Sequence, residues 1–358
     1  MTPFPRPDYR SLTKYEPGRR PAEVDLSDNT NLWGPHPDAL ARIRAATADD
    51  VRCYPEVYAD TLRTAVAERF GVAPDCVTTG AGSDDILDSA FRAAAGPDAV
   101  VSFPSPTFVM ASELARVNGM RPLAVPWDEA MRDPGALLAD GAAVVYVCRP
   151  NNPTGALAPR PWMERLLDLV GDSGPLVVLD EAYADFAGET LVTEAVERPR
   201  LLVVRTCSKA FGLAGMRCGF AVARPAVALE VEKSRGPYKV SRLTTETAAA
   251  AVRDVSGWTP KVVAECLANR ARLFEELARR GIPTLESRAN FILFAAPSGS
   301  GADDAAALRE AGVQVRPFRD IPELGDALRV TVGPWPLVER FLGALDRRLA
   351  ALGAEATR

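Results

Sequence analysis

Histidine is nearly missing from this 358-residue chain: the sole one is His36, set between Pro35 and Pro37. A Ser-His-Asp triad, a Cys-His dyad or a multi-histidine metal site would rest on that one ring, in a segment whose backbone proline restricts. Proton transfer in an enzyme built this way falls to lysine, carboxylate, tyrosine or a cofactor. Paired cysteine motifs are missing too. Cys53, Cys76, Cys148, Cys207, Cys218 and Cys266 stand far apart with no C-x-x-C, which excludes a zinc ribbon or a disulfide framework and suggests a reducing cytoplasm. No apolar run approaches the roughly 20 residues of a membrane helix, and Met1 to Asp8 holds no signal-peptide stretch. No membrane association is expected. Basic residues are in deficit, 42 against 47 acidic, for a net charge of -5, which argues against a nucleic-acid protein with a broad basic face.

What is present is ordinary globular material, 47% hydrophobic and 25% charged, and long enough for two domains. The first 25 residues, rich in Pro and Arg, read as an arm or loop. Helical periodicity appears at Pro37 to Ala46 and Ala59 to Phe70. Short Val- and Leu-rich runs follow at Ala99 to Phe103, Ala143 to Cys148, Leu176 to Leu179, Leu201 to Arg205 and Gly219 to Ala223. Helical stretches at Asp84 to Ala95, Thr107 to Val117 and Pro161 to Val170 fall between them. Strands that alternate with helices and are apolar on both faces predict an α/β fold with a mostly parallel sheet covered by helices. Beyond a helical stretch at Thr244 to Val252 and a long helix from Pro260 to Arg280, the pattern changes to that of a smaller α+β domain. There strands at Asn290 to Phe294 and Leu328 to Val332 flank a helix at Asp303 to Ala311, and Pro336 to Leu352 closes the chain. The expected division is residues 1–40 as arm and part of the small domain, 41–255 as the large domain, and 256–358 as the small C-terminal domain.

Four segments carry chemistry. Thr79-Gly80-Ala81-Gly82-Ser83-Asp84 opens a helix; it is either a tight turn or a phosphate cradle of free N–H groups. Arg149-Pro150-Asn151-Asn152-Pro153-Thr154-Gly155 follows a strand, where ligands of open α/β sheets collect, although asparagines in such a turn also bond their own backbone. In Leu179-Asp180-Glu181-Ala182-Tyr183 two acids end a strand that should be buried, and a buried carboxylate needs a partner. An aspartate beside a ring nitrogen would hold that nitrogen protonated. The sharpest is Thr206-Cys207-Ser208-Lys209, with Arg217 eight residues beyond the lysine. A lysine just past a buried strand, in a Gly-rich loop with hydroxyls before it, is poorly explained as a surface charge, and lysine is the side chain that forms Schiff bases with pyridoxal phosphate.

With these segments in order, from Asn152 to Asp180 over 28 residues and from Asp180 to Lys209 over 29, the chain resembles the fold-type I pyridoxal-phosphate aminotransferases, and among them the histidinol-phosphate aminotransferase family. The resemblance implies pyridoxal 5'-phosphate bound covalently by Lys209, with Asp180 on its pyridinium nitrogen. Asn152 and Tyr183 would hydrogen-bond the ring hydroxyl oxygen, and Phe108 would stack on the ring face, where the family more often has tyrosine. The resemblance further implies a phosphate held by Gly82, Ser83, Asp84, Thr206, Ser208 and Arg217. Tyr54 would reach the cofactor phosphate of a neighbouring subunit, which implies a homodimer with shared sites. Arg316 and Arg329 would grip the phosphate or carboxylate of the substrate, and Tyr15 and Asn31 would close over it.

The implied reaction is amino transfer from a small-molecule donor to a 2-oxo acid, with histidinol phosphate and 2-oxoglutarate as the expected pair. An aromatic or other amino acid is the nearest rival donor. A threonine-phosphate-type decarboxylase would share the architecture, and a non-catalytic ligand-sensing domain would share the cofactor. Trp33 and Lys239 depart from the family pattern, where a smaller residue and an asparagine are common. A nicotinamide dehydrogenase is disfavoured, because its glycine fingerprint is missing and it gives Lys209 no role.

Overall fold

The computed structural model describes residues 4–5, 9–10, 12–14 and 22–356. Its strands are β1 (Val24–Asp25), β2 (Val77–Gly80), β3 (Val100–Ser105), β4 (Arg121–Pro126), β5 (Ala142–Cys148), β6 (Leu176–Asp180), β7 (Leu201–Thr206), β8 (Gly219–Ala223), β9 (Phe291–Ala295), β10 (Val313–Gln314), β11 (Arg316–Ile321) and β12 (Gly325–Thr331). Seven of them form the main sheet in the order β2-β8-β7-β6-β5-β3-β4. Within it, β8 alone runs antiparallel to its neighbours. The central strands β5, β6 and β7 read AAVVYVC, LVVLD and LLVVRT because helices cover both faces, so neither alternate position meets water.

Side-chain alternation divides these strands' side chains between two layers, one on each face of the sheet. Val145, Val147, Val177, Leu179 and Val203 point into one, and Val144, Tyr146, Val178 and Val204 into the other. The helix Ser83–Ala94 lies on the second face, burying Ile86, Leu87, Ala90 and Phe91 against it. In register, Cys148 pairs with Asp180, so the carboxyl ends of β5 and β6 stop together. At such ends, beside a helix start, α/β sheets gather ligands.

A second core joins residues far apart in the chain. Strands β11, β12 and β9 form an antiparallel sheet, and β1 pairs with β10 in parallel. Helices Trp258–Arg279, Gly301–Glu310 and Trp335–Ala356 accompany them. Val24 and Leu26 pack in the same core as Phe291, Val330 and Phe341, together with Tyr183 and Ala210 from the main-sheet side.

Among the elements that escape the sequence pattern, three have a plain physical reason. β4 holds Pro122 and Pro126 and is tolerated because it is the sheet edge. β11 is largely exposed and charged, so it lacks an apolar signature. The helix Pro225–Arg235 has Pro at its start and only a narrow buried stripe. No helix among the described residues is long and apolar enough to cross a membrane.

Candidate active site

A cleft of about 640 Å³ opens where the carboxyl ends of β5, β6 and β7 face β11 and β12. Its floor comes from the main sheet. Asp180, the last residue of β6, is only 2% exposed. Its Oδ2 accepts the Tyr146 hydroxyl at 2.8 Å and its Oδ1 accepts the Ala182 N–H at 3.0 Å. Burial pushes this carboxyl up to about 6, against the two hydrogen bonds that favour its charge, with the Asp84 and Glu181 carboxylates adding to the rise. Lys209 stands across the floor and donates from Nζ to the Asp28 carbonyl at 2.9 Å. Desolvation lowers its amine to about 8, and the nearby Arg329 charge adds to the fall.

Between these two groups lie Tyr183 and Asn152. The Tyr183 hydroxyl accepts from Asn29 Nδ2 at 3.1 Å, and its ring meets Phe291 edge-on with centroids 5.1 Å apart. Asn152 Oδ1 accepts from Arg329 Nη1 at 2.5 Å. Phe108 lines one wall, in a loop tied down by the Thr107 hydroxyl, which donates to Asn151 Oδ1 at 2.7 Å.

The far end of the cleft is built for an anion. Ser83 and Asp84 begin a 12-residue helix, so their N–H groups have no acceptor inside it. The hydroxyls of Thr206 and Ser208 stand 3.0 Å apart beside it, and Arg217 Nη2 lies 3.6 Å from Asp84 Oδ2. Gly82 has φ +90°, and a Cβ there would come within 2.7 Å of Arg217 Nη2. A Cβ on Gly219 would strike the Ser83 backbone nitrogen at 2.6 Å. Both glycines therefore let the helix start, β8 and Arg217 close around one small space. Pyridoxal 5'-phosphate matches this donor set end to end: amide, hydroxyl and guanidinium donors for its phosphate, an amine for its aldehyde, and a buried carboxylate for its ring nitrogen.

The roof comes from the other core. Arg329 on β12 is 4% exposed and donates from Nη2 to the Ser27 carbonyl at 2.6 Å. Arg316 on β11 has Nη1 3.6 Å from Asp28 Oδ1, and both residues line the cleft with Asn29, Thr30 and Phe318.

The expected site residues thus fall into three groups. Ser83, Asp84, Phe108, Asn152, Asp180, Tyr183, Thr206, Ser208, Lys209, Arg217, Arg316 and Arg329 line this one cleft, and Gly82 abuts Arg217. Asn31 stands apart from it: its Nδ2 donates to the Ala210 carbonyl at 2.9 Å and its Oδ1 caps the Trp33 N–H at 3.0 Å. Asn29, at φ +56°, turns the chain so that it meets Tyr183 instead. Tyr54 is 83% exposed and pairs with Tyr238 outside the cleft, with ring centroids 5.2 Å apart. Tyr15 lies outside the described residues. Lys239 Nζ is 3.5 Å from Asp85 Oδ1, and Trp33 packs on the second core.

His36 is fully buried away from the cleft. Its Nε2 meets Asp254 Oδ1 at 2.8 Å, and its Nδ1 accepts the Asp38 N–H at the start of the helix Pro37–Arg44. The sequence did not flag Tyr146, Asp28 or Asn29. Tyr146 hid in an apolar run, where a lone hydroxyl two residues from the strand end was the available signal.

Comparison with known proteins agrees with this geometry. The model of the family "Aminotransferase class I and II" matches residues 21–345. A histidinol-phosphate aminotransferase of Bradyrhizobium diazoefficiens is 39% identical over 93% of this chain and 95% of its own length. One from Nostoc is 33% identical over 93% and 94%. Among solved structures, the histidinol-phosphate aminotransferase of Sinorhizobium meliloti in complex with pyridoxal-5'-phosphate superposes with a TM-score of 0.82 at 24% identity, over 97% of each chain. The L-threonine-O-3-phosphate decarboxylase of Porphyromonas gingivalis does so at 0.79 and 23%, over 91% of this chain and 99% of its own. A floor shaped for pyridoxal 5'-phosphate and a match across most of the sequence lead to one conclusion: the chain belongs to the class I and II aminotransferases and is a pyridoxal-phosphate-dependent transaminase.

Proposed function

We propose that this transaminase takes its amino group from L-histidinol phosphate and passes it to 2-oxoglutarate. The observation that carries this reading is the pair Arg316 and Arg329 in the roof facing Lys209, in a chain 39% identical to a histidinol-phosphate aminotransferase. Two guanidinium groups suit the phosphate of the donor and the carboxylates of the acceptor in turn, through bidentate hydrogen bonds.

The bound cofactor supplies an electron sink that makes the hydrogen on the donor's amine-bearing carbon acidic. Everything else falls to the chain. Lys209 would hold the cofactor through its amine and, as a free amine, would take the proton from the donor's amine-bearing carbon and return it to the cofactor carbon; its lowered affinity for protons leaves a large neutral fraction near pH 8. Asp180 holds a proton on the ring nitrogen. Tyr183 and Asn152 orient the ring hydroxyl oxygen, and Asn152 also ties the floor to Arg329. Ser83, Asp84, Thr206, Ser208 and Arg217 bind the phosphate, with Gly82 giving the close approach, while Phe108 covers the ring face. Asn31 would act on the substrate only indirectly, by holding the segment that carries Asn29 and Thr30 to the Lys209 loop.

The same reading makes the enzyme a homodimer. Tyr54 and Tyr238 pack together at the surface, 83% and 47% exposed, and support a surface on which Tyr54 reaches a second copy. The chain is read as an arm with part of the small domain (1–40), a large cofactor domain (41–255) and a small domain (256–358). Its six free thiols suit a reducing cytoplasm.

Steady-state assays of glutamate formation from 2-oxoglutarate test the donor. L-histidinol phosphate should exceed phenylalanine and tyrosine by at least about tenfold in kcat/KM, a difference of about 1.4 kcal/mol in transition-state binding. A preference for an aromatic amino acid would overturn the donor assignment, and carbon dioxide release from threonine phosphate would replace amino transfer by decarboxylation.

A further inference from the structure

We propose that Tyr146 is a positioning residue for the reaction: its hydroxyl fixes the Asp180 carboxylate and keeps it charged for the ring nitrogen of the cofactor. The inference rests on the assignment of Asp180 to that nitrogen.

Tyr146 lies inside β5, fully buried, on the sheet face it shares with Val144 and Val178. Apart from the Cys148 thiol, which also meets the hydroxyl, its neighbours there are apolar, so phenylalanine would fill most of the same space. The hydroxyl instead reaches one strand across and up to Asp180 Oδ2 at 2.8 Å. This is the diagonal that alternation allows, since Tyr146 pairs in register with Val178 and Cys148 with Asp180. The Ala182 N–H holds the other oxygen, so the two donors fix the carboxylate plane and leave lone pairs toward the cleft.

The groups facing Asp180 make the hydroxyl matter. From the helix Ser83–Ala94 comes Asp84, and next in the chain is Glu181; both oppose a charge on Asp180, as does burial itself. Cys148 from β5 and Tyr183 stand nearby, each driven by burial toward its neutral form. The forces that favour the charged carboxylate are the hydrogen bonds from Tyr146 and Ala182. The backbone amide cannot be varied, which leaves Tyr146 as the adjustable setting.

The test titrates apoprotein with pyridoxamine 5'-phosphate, which forms no bond to Lys209, and follows quenching of tryptophan fluorescence at a series of pH values. In the parent protein, affinity falls as pH drops through the midpoint of Asp180. Tyr146→Phe should raise that midpoint by about one pH unit, the worth of one hydrogen bond to a charged group, with affinity above it little changed. Site-specific 3-fluorotyrosine, a stronger donor of the same shape, should lower it. An unmoved midpoint in both, or a pH-independent loss of affinity in Tyr146→Phe, would overturn the inference. Asp180→Asn should erase the step in either background. If the step survives Asp180→Asn, the assignment of Asp180 itself is wrong; if it vanishes there yet ignores Tyr146, the role of Tyr146 alone fails.

Discussion

The floor and the roof of the cleft are built in opposite ways. Most of the floor is local: Asp180, Tyr183, Thr206, Ser208, Lys209 and Arg217 fall within 38 residues of one another, at the ends of adjacent strands. The roof is assembled across the whole chain. Asn29 binds the Thr331 hydroxyl 302 positions away, and Arg329 reaches Ser27 over the same distance. The floor's rigidity comes from the parallel strands β5, β6 and β7, each paired on both sides. The roof depends on β11 and β12 meeting a segment from near the other end of the chain, and side-chain bonds from Arg329 to Asn152 and from Asn29 to Tyr183 tie it to the floor. Chemistry that must not move sits on the sheet, and selection of substrate sits on the part assembled from distant stretches of the chain.

The largest expected effect strikes the floor alone. Lys209→Ala should cut turnover by at least about 10⁴-fold, because one amine both holds the cofactor and moves the proton. Circular-dichroism melting should stay near the parent curve. Retained turnover would remove lysine from the chemistry.

Beneath the floor, Arg205 is buried between Asp185 Oδ2 at 2.8 Å and Glu181 Oε2 at 3.3 Å. Arg205→Met leaves buried Glu181 and half-buried Asp185 without their cation and should cost about 3–5 kcal/mol in urea unfolding. A cost below about 1 kcal/mol would mean that the floor does not rely on this network.

Arg329→Ala tests the roof. It should raise KM for the donor by about 100-fold, roughly 2.7 kcal/mol, with cofactor affinity changed far less. Equal losses of both would erase the distinction between the two halves, since Arg329 would then serve the floor through Asn152.

The smallest effect is one of pH. The Lys209 amine is lowered from the ordinary lysine range to about 8. Its neutral fraction therefore rises about tenfold per unit up to that point and levels above it. Stopped-flow capture of pyridoxal phosphate by apoprotein should follow the same curve. A rate still climbing at pH 10 would mean that the amine keeps its ordinary basicity. In the folded apoprotein this lowered value opposes folding while the amine is charged, an effect present below about 8 and relieved as pH rises toward the unfolded value.

Much of the floor could be read from the sequence because buried polar residues at strand ends are conspicuous. Asp180 ends an aliphatic run and Lys209 lies just past another, and burial makes such residues costly unless they serve a site. The strands themselves show for the same reason, with β5, β6 and β7 apolar on both faces. The roof was harder. β11 carries Arg316 in an exposed, charged segment with no periodicity, and its partner Asp28 belongs to a segment with no regular pattern at all. Asn29 and Asn31 differ by two positions, and which one faces Tyr183 is decided by a left-handed turn that composition does not announce. Tyr146 was hidden by its own neighbours, because a phenol among valines reads as core until its hydroxyl finds Asp180.

The most direct measurement is an absorbance scan of the cofactor-loaded enzyme before and after L-histidinol phosphate is added without an acceptor. A floor that holds pyridoxal phosphate on Lys209 and a roof that admits this donor predict that the visible band of the bound cofactor gives way to that of pyridoxamine phosphate. A band that ignores histidinol phosphate but yields to an aromatic amino acid would contradict the donor assignment, and no band at all would contradict the cofactor site.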